Sequence, residues 1–300
     1  MIRRSLALLV LLVLTLSAAT ARAAGTTLRL CTGSPGKTYI RVGETLAELA
    51  RTMTMGQLVI EPVPSGGSID NLNRTLAGEC DGFIAQGDAL AFFEAKVDPE
   101  ILDKVQVVGT LYKELGMLLC HRRTGIDDLD EVGDGVVAAG DFGSGSFATM
   151  VVLRQLFPDL YGRIRIHPAN GFEGALAVLD GKADCLFEVI APKSDLLQVL
   201  NDNDRTGSQL YFAEIDNSDL EEVTVAGKKV YDIVTFDDEL YRNLSTIGDP
   251  ETLAIWAVLG VSRAFYEAHP EVRSALAMLI LSAQRDIEEV AYGERKPFED

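Results

Sequence analysis

The chain has 300 residues, 47% of them hydrophobic, with 27 Lys and Arg against 45 Asp and Glu and a net charge of −18. That acidity argues against nucleic acid and against anionic membrane surfaces as partners. The four cysteines, Cys31, Cys80, Cys120 and Cys185, are dispersed with no C-x-x-C spacing, which argues against a structural zinc site.

Arg3 and Arg4 open the chain, an apolar block runs from Leu6 to Leu14, and Ala21-Arg22-Ala23 gives an A-x-A cleavage pattern. This is the pattern of a secretory signal peptide, too short for a membrane span. Residues 1–23 are expected to be removed and the mature chain to be periplasmic. Losing Arg3, Arg4 and Arg22 takes the net charge from −18 to −21. The later apolar run Leu253–Val261 is also too short to span a bilayer. An exported chain meets an oxidising compartment, so a disulfide is open to it.

TTLRL (Thr26–Leu30) reads as a strand, CTGSPGKTY (Cys31–Tyr39) as a loop, and TYIRVGETLAELARTM as an amphipathic helix. A strand, a glycine turn with Gly-Lys-Thr and a helix come close to the phosphate loop G-x-x-x-x-G-K-[ST]. Cys31 stands where the first glycine is required, and only GVVAAGD (Gly135–Asp141) offers a loose Walker B strand. Nucleotide binding is therefore disfavoured. Gly33 and Gly36 still let backbone N–H groups face a ligand, and the helix presents its positive end. The loop suits an anion of some kind.

Further strands are expected at Gln57–Val63, Asp81–Gln86 and Val105–Leu111, with helices over SIDNLNRTLAGE and DALAFFEAK between them. This βαβαβα order predicts a mostly parallel sheet with helices on its faces. A second round follows. Glu114–Arg122 reads as a strand, GIDDLDEV as a short helix, Gly135–Gly140 as a strand and FATMVVLRQLF as a helix. RIRIHP, GFEGALAVLDGK, ADCLFEVI and PKSDLLQVLN then alternate strand and helix. The repetition predicts two similar α/β lobes. Residues 24–112 would form the first part of lobe one and 113–209 lobe two; 210–300 would return to lobe one. In that tail LYFAEI reads as a strand, VTVAGKKVYDIV as a hairpin, Thr252–Arg263 as a buried strand and HPEVRSALAMLILSAQRDIEEVAY as a closing helix.

Small polar residues recur in the strand-to-helix loops: Ser34 and Thr38, Ser65 and Ser68, Ser144 and Ser146. Any one of these loops reads as a helix cap with turn glycines. Three at the same topological position point to one small polar ligand at the carboxyl ends of the strands. Tyr39, Phe147 and Phe187 flank these loops as pocket walls or core, and Glu188 ends the strand CLFEV. Enzyme signatures are poor. His121, His167 and His269 form no metal-binding pair, and G-x-S-x-G is absent. No metal or cofactor is expected.

The chain resembles the TAXI group of TRAP-transporter solute-binding subunits. The resemblance is carried in order by TGSPGKTY, PSGGSIDNLNRTLAGECD, GFIAQGDAL, LCHRRTGIDDLDEVGDG and GSGSFATMVVLRQL, over nearly the whole mature chain. It implies an α/β, two-lobed, type II-like periplasmic-binding-protein fold with a ligand cleft between lobes. It also implies a non-enzymatic role: capture of a small organic acid or amino acid, glutamate-like or dicarboxylate, by hinge closure and delivery to a TRAP membrane permease by a monomer. By position, the family's ligand loops fall on Ser34–Tyr39, Ser65–Ser68, Gln86–Asp88 and Ser144–Phe147. The expected ligand residues are therefore Ser34, Lys37, Thr38, Tyr39, Ser65, Ser68, Gln86, Asp88, Ser144, Ser146, Phe147 and Glu188. Lys37, Phe147 and Glu188 depart from the residues usual in the family and bear on which solute is taken. A ligand-sensing subunit that signals to a membrane kinase and a periplasmic hydrolase remain rival readings. In such a fold the strands of Cys120 and Cys185 run antiparallel side by side, which suits a disulfide. Cys31 and Cys80 are expected toward opposite ends of parallel strands.

Overall fold

The computed structural model describes residues 25–225, 227–245, 248–294 and 296–299. The expected signal peptide lies outside the described residues. In chain order, the first part holds β1 (Thr26–Cys31), α1 (Thr38–Met53), β2 (Leu58–Val63), α2 (Ser68–Leu76), β3 (Gly82–Gln86), α3 (Ala89–Lys96), α4 (Ile101–Lys104) and β4 (Val105–His121). The middle holds β5 (Val136–Ala139), α5 (Gly145–Leu156), α6 (Pro158–Tyr161), β6 (Arg165–His167), α7 (Gly171–Leu179), β7 (Cys185–Ile190), α8 (Asp195–Asp202), α9 (Asp204–Gln209) and β8 (Leu210–Ala213). The last part holds β9 (Thr224–Val225), β10 (Lys228–Lys229), β11 (Tyr231–Phe236), β12 (Glu251–Ser262), α10 (Arg263–Ala268), α11 (Pro270–Tyr292) and β13 (Phe298–Glu299).

The main sheet runs β2-β1-β3-β12-β4-β7-β5-β6. At one end β2, β1 and β3 are parallel, and at the other β7, β5 and β6 are parallel. Between them β12 and β4 run antiparallel to each other and to their outer neighbours. Two parallel α/β lobes are thus joined through a pair of long crossing strands, the two-lobed periplasmic-binding-protein architecture.

Local chemistry explains the elements. Helix α1 buries Tyr39, Ile40, Val42, Gly43, Leu46 and Ala50, a three-to-four spacing that keeps one face on the sheet. Strand β3 (GFIAQ) is buried at every position, as a strand covered on both faces must be. Helix α11 buries Val272, Leu276, Leu279, Ile280, Ala283 and Ile287 and closes over the first lobe.

Three expectations are corrected. The two strands expected at Val105–Leu111 and Glu114–Arg122 are one 17-residue strand, β4. Tyr112 and Lys113 carry no turn chemistry, so the chain stays extended through the expected boundary at 112/113. Strand β8, in the tail expected to return to lobe one, pairs with Leu118–His121 at the far end of β4. Cys31 and Cys80 lie side by side and are disulfide-bonded, with a Cα separation of 5.8 Å. The stagger of the strands is the reason: β3 meets only the last two residues of β1, Leu30 and Cys31, so the turn before Gly82 comes up against Cys31. The expected pair Cys120–Cys185 is bonded as well, from directly opposed residues of β4 and β7 with Cα atoms 4.0 Å apart. Disulfides suit an oxidising compartment.

Candidate functional site

A cavity of about 420 Å³ lies between the lobes, a volume suited to a small molecule. The first residues of five helices line it: Thr38 and Tyr39 of α1, Ser68 of α2, Gly145 and Ser146 of α5, Gly171 and Phe172 of α7, and Asp195 and Leu196 of α8. Each helix has eight or more residues. A helix start leaves N–H groups without intrahelical partners and carries about half a positive charge. Five of them around one cavity bring helix-start N–H groups from both lobes to it, beside Lys37 and Arg41 and the carboxyl residues Glu114, Glu188 and Asp195. A larger concavity of about 510 Å³, walled by Arg122, Asp127, Tyr211 and Glu214, includes the start of no helix.

Internal bonds set the loops. Ser65 accepts from the Gly67 N–H at 3.3 Å, its N–H donates to the Gly33 carbonyl at 3.2 Å, and its carbonyl accepts from the Ser34 hydroxyl at 3.3 Å. The two lobe-one loops are thereby stitched together. Gly36 adopts φ +80°, a left-handed conformation open to glycine, and so brings Lys37 to the N-cap of α1. The buried Asn71 amide donates to the Thr32 and Ile84 carbonyls and ties α2 to the end of β1 and the middle of β3. Ser68 accepts from the Gln86 N–H at 3.1 Å.

Nine of the twelve expected residues line the cavity: Ser34, Lys37, Thr38, Tyr39, Ser68, Gln86, Ser144, Ser146 and Glu188. Ser65, Asp88 and Phe147 do not. Ser65 holds loops. Phe147 is packed between Phe92 and Phe142, with ring centroids at 6.4 and 5.1 Å. Asp88 is fully buried, and its Oδ2 accepts from the hydroxyls of Thr149 at 2.6 Å and Tyr231 at 3.0 Å. Burial pushes its carboxyl up to about 6, while those two hydroxyls pull the other way. Phe187 is core.

Several cavity hydroxyls are already committed. Ser144 caps α5, accepting from the Phe147 N–H at 3.2 Å. Ser146 donates to Glu188 Oε2 at 2.9 Å and accepts from the Val189 N–H at 2.9 Å. Glu188, 8% exposed, also accepts from the Gly171 N–H at 2.6 Å. Burial raises its pKa; the Gly171 N–H, the Ser146 hydroxyl and the charge of Lys37 oppose the rise. Sequence reasoning missed Glu114, Arg41, Asn170 and Asp195 on the cavity wall. The one signal for Glu114 was that it is the lone carboxylate of the long run Val105–His121, and the adjacent Lys113 masked it.

The lobes touch across the cleft. Gln86 donates to the Val189 carbonyl at 3.4 Å and accepts from the Thr149 hydroxyl at 3.2 Å. The Asp70 N–H reaches the Gly143 carbonyl at 3.4 Å. This is a closed arrangement with polar contacts from both sides.

Residues 30–279 match the model of the NMT1-like family. No curated protein sequence matches the chain. Among solved structures, the periplasmic domain of B. pertussis BvgS is similar at 13% identity and TM-score 0.52; the match covers 91% of this chain but 44% of that one. The periplasmic sulfonate-binding protein SsuA from Methylobacillus flagellatus KT gives 13% identity and TM-score 0.52, covering 90% of this chain and 74% of that one. The GluR0 ligand-binding core in complex with L-glutamate gives 10% identity and TM-score 0.55, covering 90% and 98%. At these identities the likeness is one of fold.

Proposed function

The chain belongs to the NMT1-like family, and from that premise we propose that it is a periplasmic solute-binding protein whose cleft closes on a small organic anion. The observation that carries this reading is the convergence of five helix starts on one cavity between two lobes. Binding proteins share the fold: the SsuA neighbour is a sulfonate-binding protein and the GluR0 core holds L-glutamate. A solute in the cleft adds contacts with both lobes to the bonds the lobes make directly with each other, so it shifts the population toward the closed state. Hydrolysis is disfavoured. No histidine lines the cavity, and the Ser146 hydroxyl is spent on Glu188 and the Val189 N–H.

The finer assignment is a TAXI-type subunit that delivers a glutamate-like amino acid or a dicarboxylate to a TRAP permease. The ordered motifs from TGSPGKTY to GSGSFATM support it. The units that rotate are the parallel blocks on either side of the crossing strands. Mass spectrometry of protein purified from periplasmic extract, before and after denaturation, tests the reading. A small organic anion near one equivalent is expected; recovery of a neutral sugar or a cation in its place would sink it.

Calorimetry with L-glutamate and 2-oxoglutarate tests the site. Lys37 lies at the cavity wall but is itself exposed, so its contact with an anion sits at the low end of charged hydrogen bonds. Lys37→Ala is expected to weaken binding about tenfold. Glu188 faces the same cavity and favours an ammonium over a second carboxylate, so L-glutamate is expected to bind more tightly. Unchanged affinity in the variant removes Lys37 from the site, and preference for 2-oxoglutarate removes Glu188.

A further inference from the structure

Glu114 stands in the middle of β4, 4% exposed, yet it forms part of the cavity wall. Its Oε2 accepts from the Tyr39 hydroxyl at 2.6 Å and its Oε1 from the Tyr112 hydroxyl at 3.3 Å. The other groups packed around it supply no countercharge. Gln86 and Asp88, at the end of β3, face it, and Tyr292 of α11 stands behind Tyr112 with ring centroids 6.3 Å apart. Its register partner on β12 is the apolar Ile255. The neighbouring Lys113 is engaged elsewhere, 3.0 Å from Asp232. Across the cavity stand Glu188 and Asp195, with Lys37 and Arg41 on the α1 side. A carboxyl so enclosed, with no cation among its main influences and the charge of Asp88 against it, favours its neutral form.

We propose that Glu114 is the proton donor of the cleft: its carboxylic acid hydrogen-bonds an oxygen of the captured solute, so that the anion is held against a protonated carboxyl. The inference rests on the reading of the cleft as an anion site. The two phenols occupy lone pairs of the carboxyl and leave its acidic hydrogen as the one donor it can offer the cavity. Burial above all, helped by Asp88, raises Glu114 from an ordinary 4.5 to about 8, with the phenols and the Gln86 side chain opposing. A solute that accepts from the acid raises it further. Affinity is therefore full below about pH 8 and falls as pH rises beyond it, by at most about tenfold per pH unit for one proton.

The test has two arms. The first needs no solute: the infrared spectrum of the wild type at pH 7 is compared with that of Glu114→Gln. The C=O stretch of a protonated carboxylic acid is expected in the wild type and lost in the variant. Absence of the band, or its full survival in the variant, overturns the proposal. The second arm measures L-glutamate and 2-oxoglutarate affinity against pH, in buffers of different ionisation heat. Above about pH 8 the wild type is expected to weaken and to take up a proton on binding, and near pH 6 to take up none through Glu114. Glu114→Gln is expected to lose that break. Tyr39→Phe removes a donor to the ionised form and is expected to move the break to higher pH. A break unmoved in both variants overturns the proposal. If neither probe binds the wild type, the carboxylate reading of the cleft fails, and the infrared arm decides Glu114 by itself.

Discussion

Replacing Cys120 and Cys185 together by alanine is expected to lower the unfolding free energy by about 4 kcal/mol, from the chain entropy released when a loop of this size is no longer closed. The two residues are 65 apart in sequence and bonded between adjacent strands of the second lobe. Both are fully buried, so each alanine also leaves unfilled space in the core around Phe187 and Leu118. Urea denaturation of the oxidised wild type and the double variant measures the difference. A loss below about 1 kcal/mol would mean that the bond contributes little in solution, against the chain-entropy account.

Gly145→Leu is expected to abolish tight binding while leaving each lobe folded. Gly145 begins α5 in the second lobe, and a Cβ there would lie 2.3 Å from the Gln86 Oε1 of the first lobe. Gln86 cannot swing aside without losing its bonds to Thr149 and Val189, and separation of the lobes also breaks the bond from Thr149 to Asp88. Two neutral hydrogen bonds and one to a carboxyl amount to about 3–4 kcal/mol, a weakening of several hundredfold. Because the variant relieves its clash by opening, its thermal midpoint without solute is expected to fall little. Small-angle scattering would show it extended with or without added L-glutamate. A variant that closes and binds like the wild type would show that the lobes tolerate a wedge at this point.

Much of the architecture was legible in the sequence because it rests on local periodicity. Strands β1 to β3 alternate with α1 to α3 in the expected order, and TGSPGKTY and GSGSF are strand-to-helix loops at the cavity. What failed was non-local. Whether Val105–His121 is one strand or two depends on neighbours that pair along its whole length, β12 on the first part and β7 on the last. The Cys31–Cys80 pair follows from a stagger between β1 and β3 that no periodicity encodes. At the site, residue type announced donors and acceptors but not their partners. Ser146 reads equally well as a ligand contact and as the hydroxyl that holds Glu188 in place, and Asp88 reads as a site residue until burial beneath the cleft removes it. Glu114 escaped notice because a single acidic residue between Lys113 and Leu115 looks like surface.

Neither disulfide spans the cleft. Cys31–Cys80 fastens β1 to the turn before β3, and Cys120–Cys185 fastens β4 to β7. The register between β12 and β4 is irregular at Trp256/Val258 and Leu259/Gly260, and such irregularities bend and twist a strand locally. The molecule is therefore stiffened like a folded card whose two panels are laminated and whose crease is not. Covalent reinforcement against unfolding and compliance for the opening stroke reside in different residues, so either property can change in evolution without altering the other.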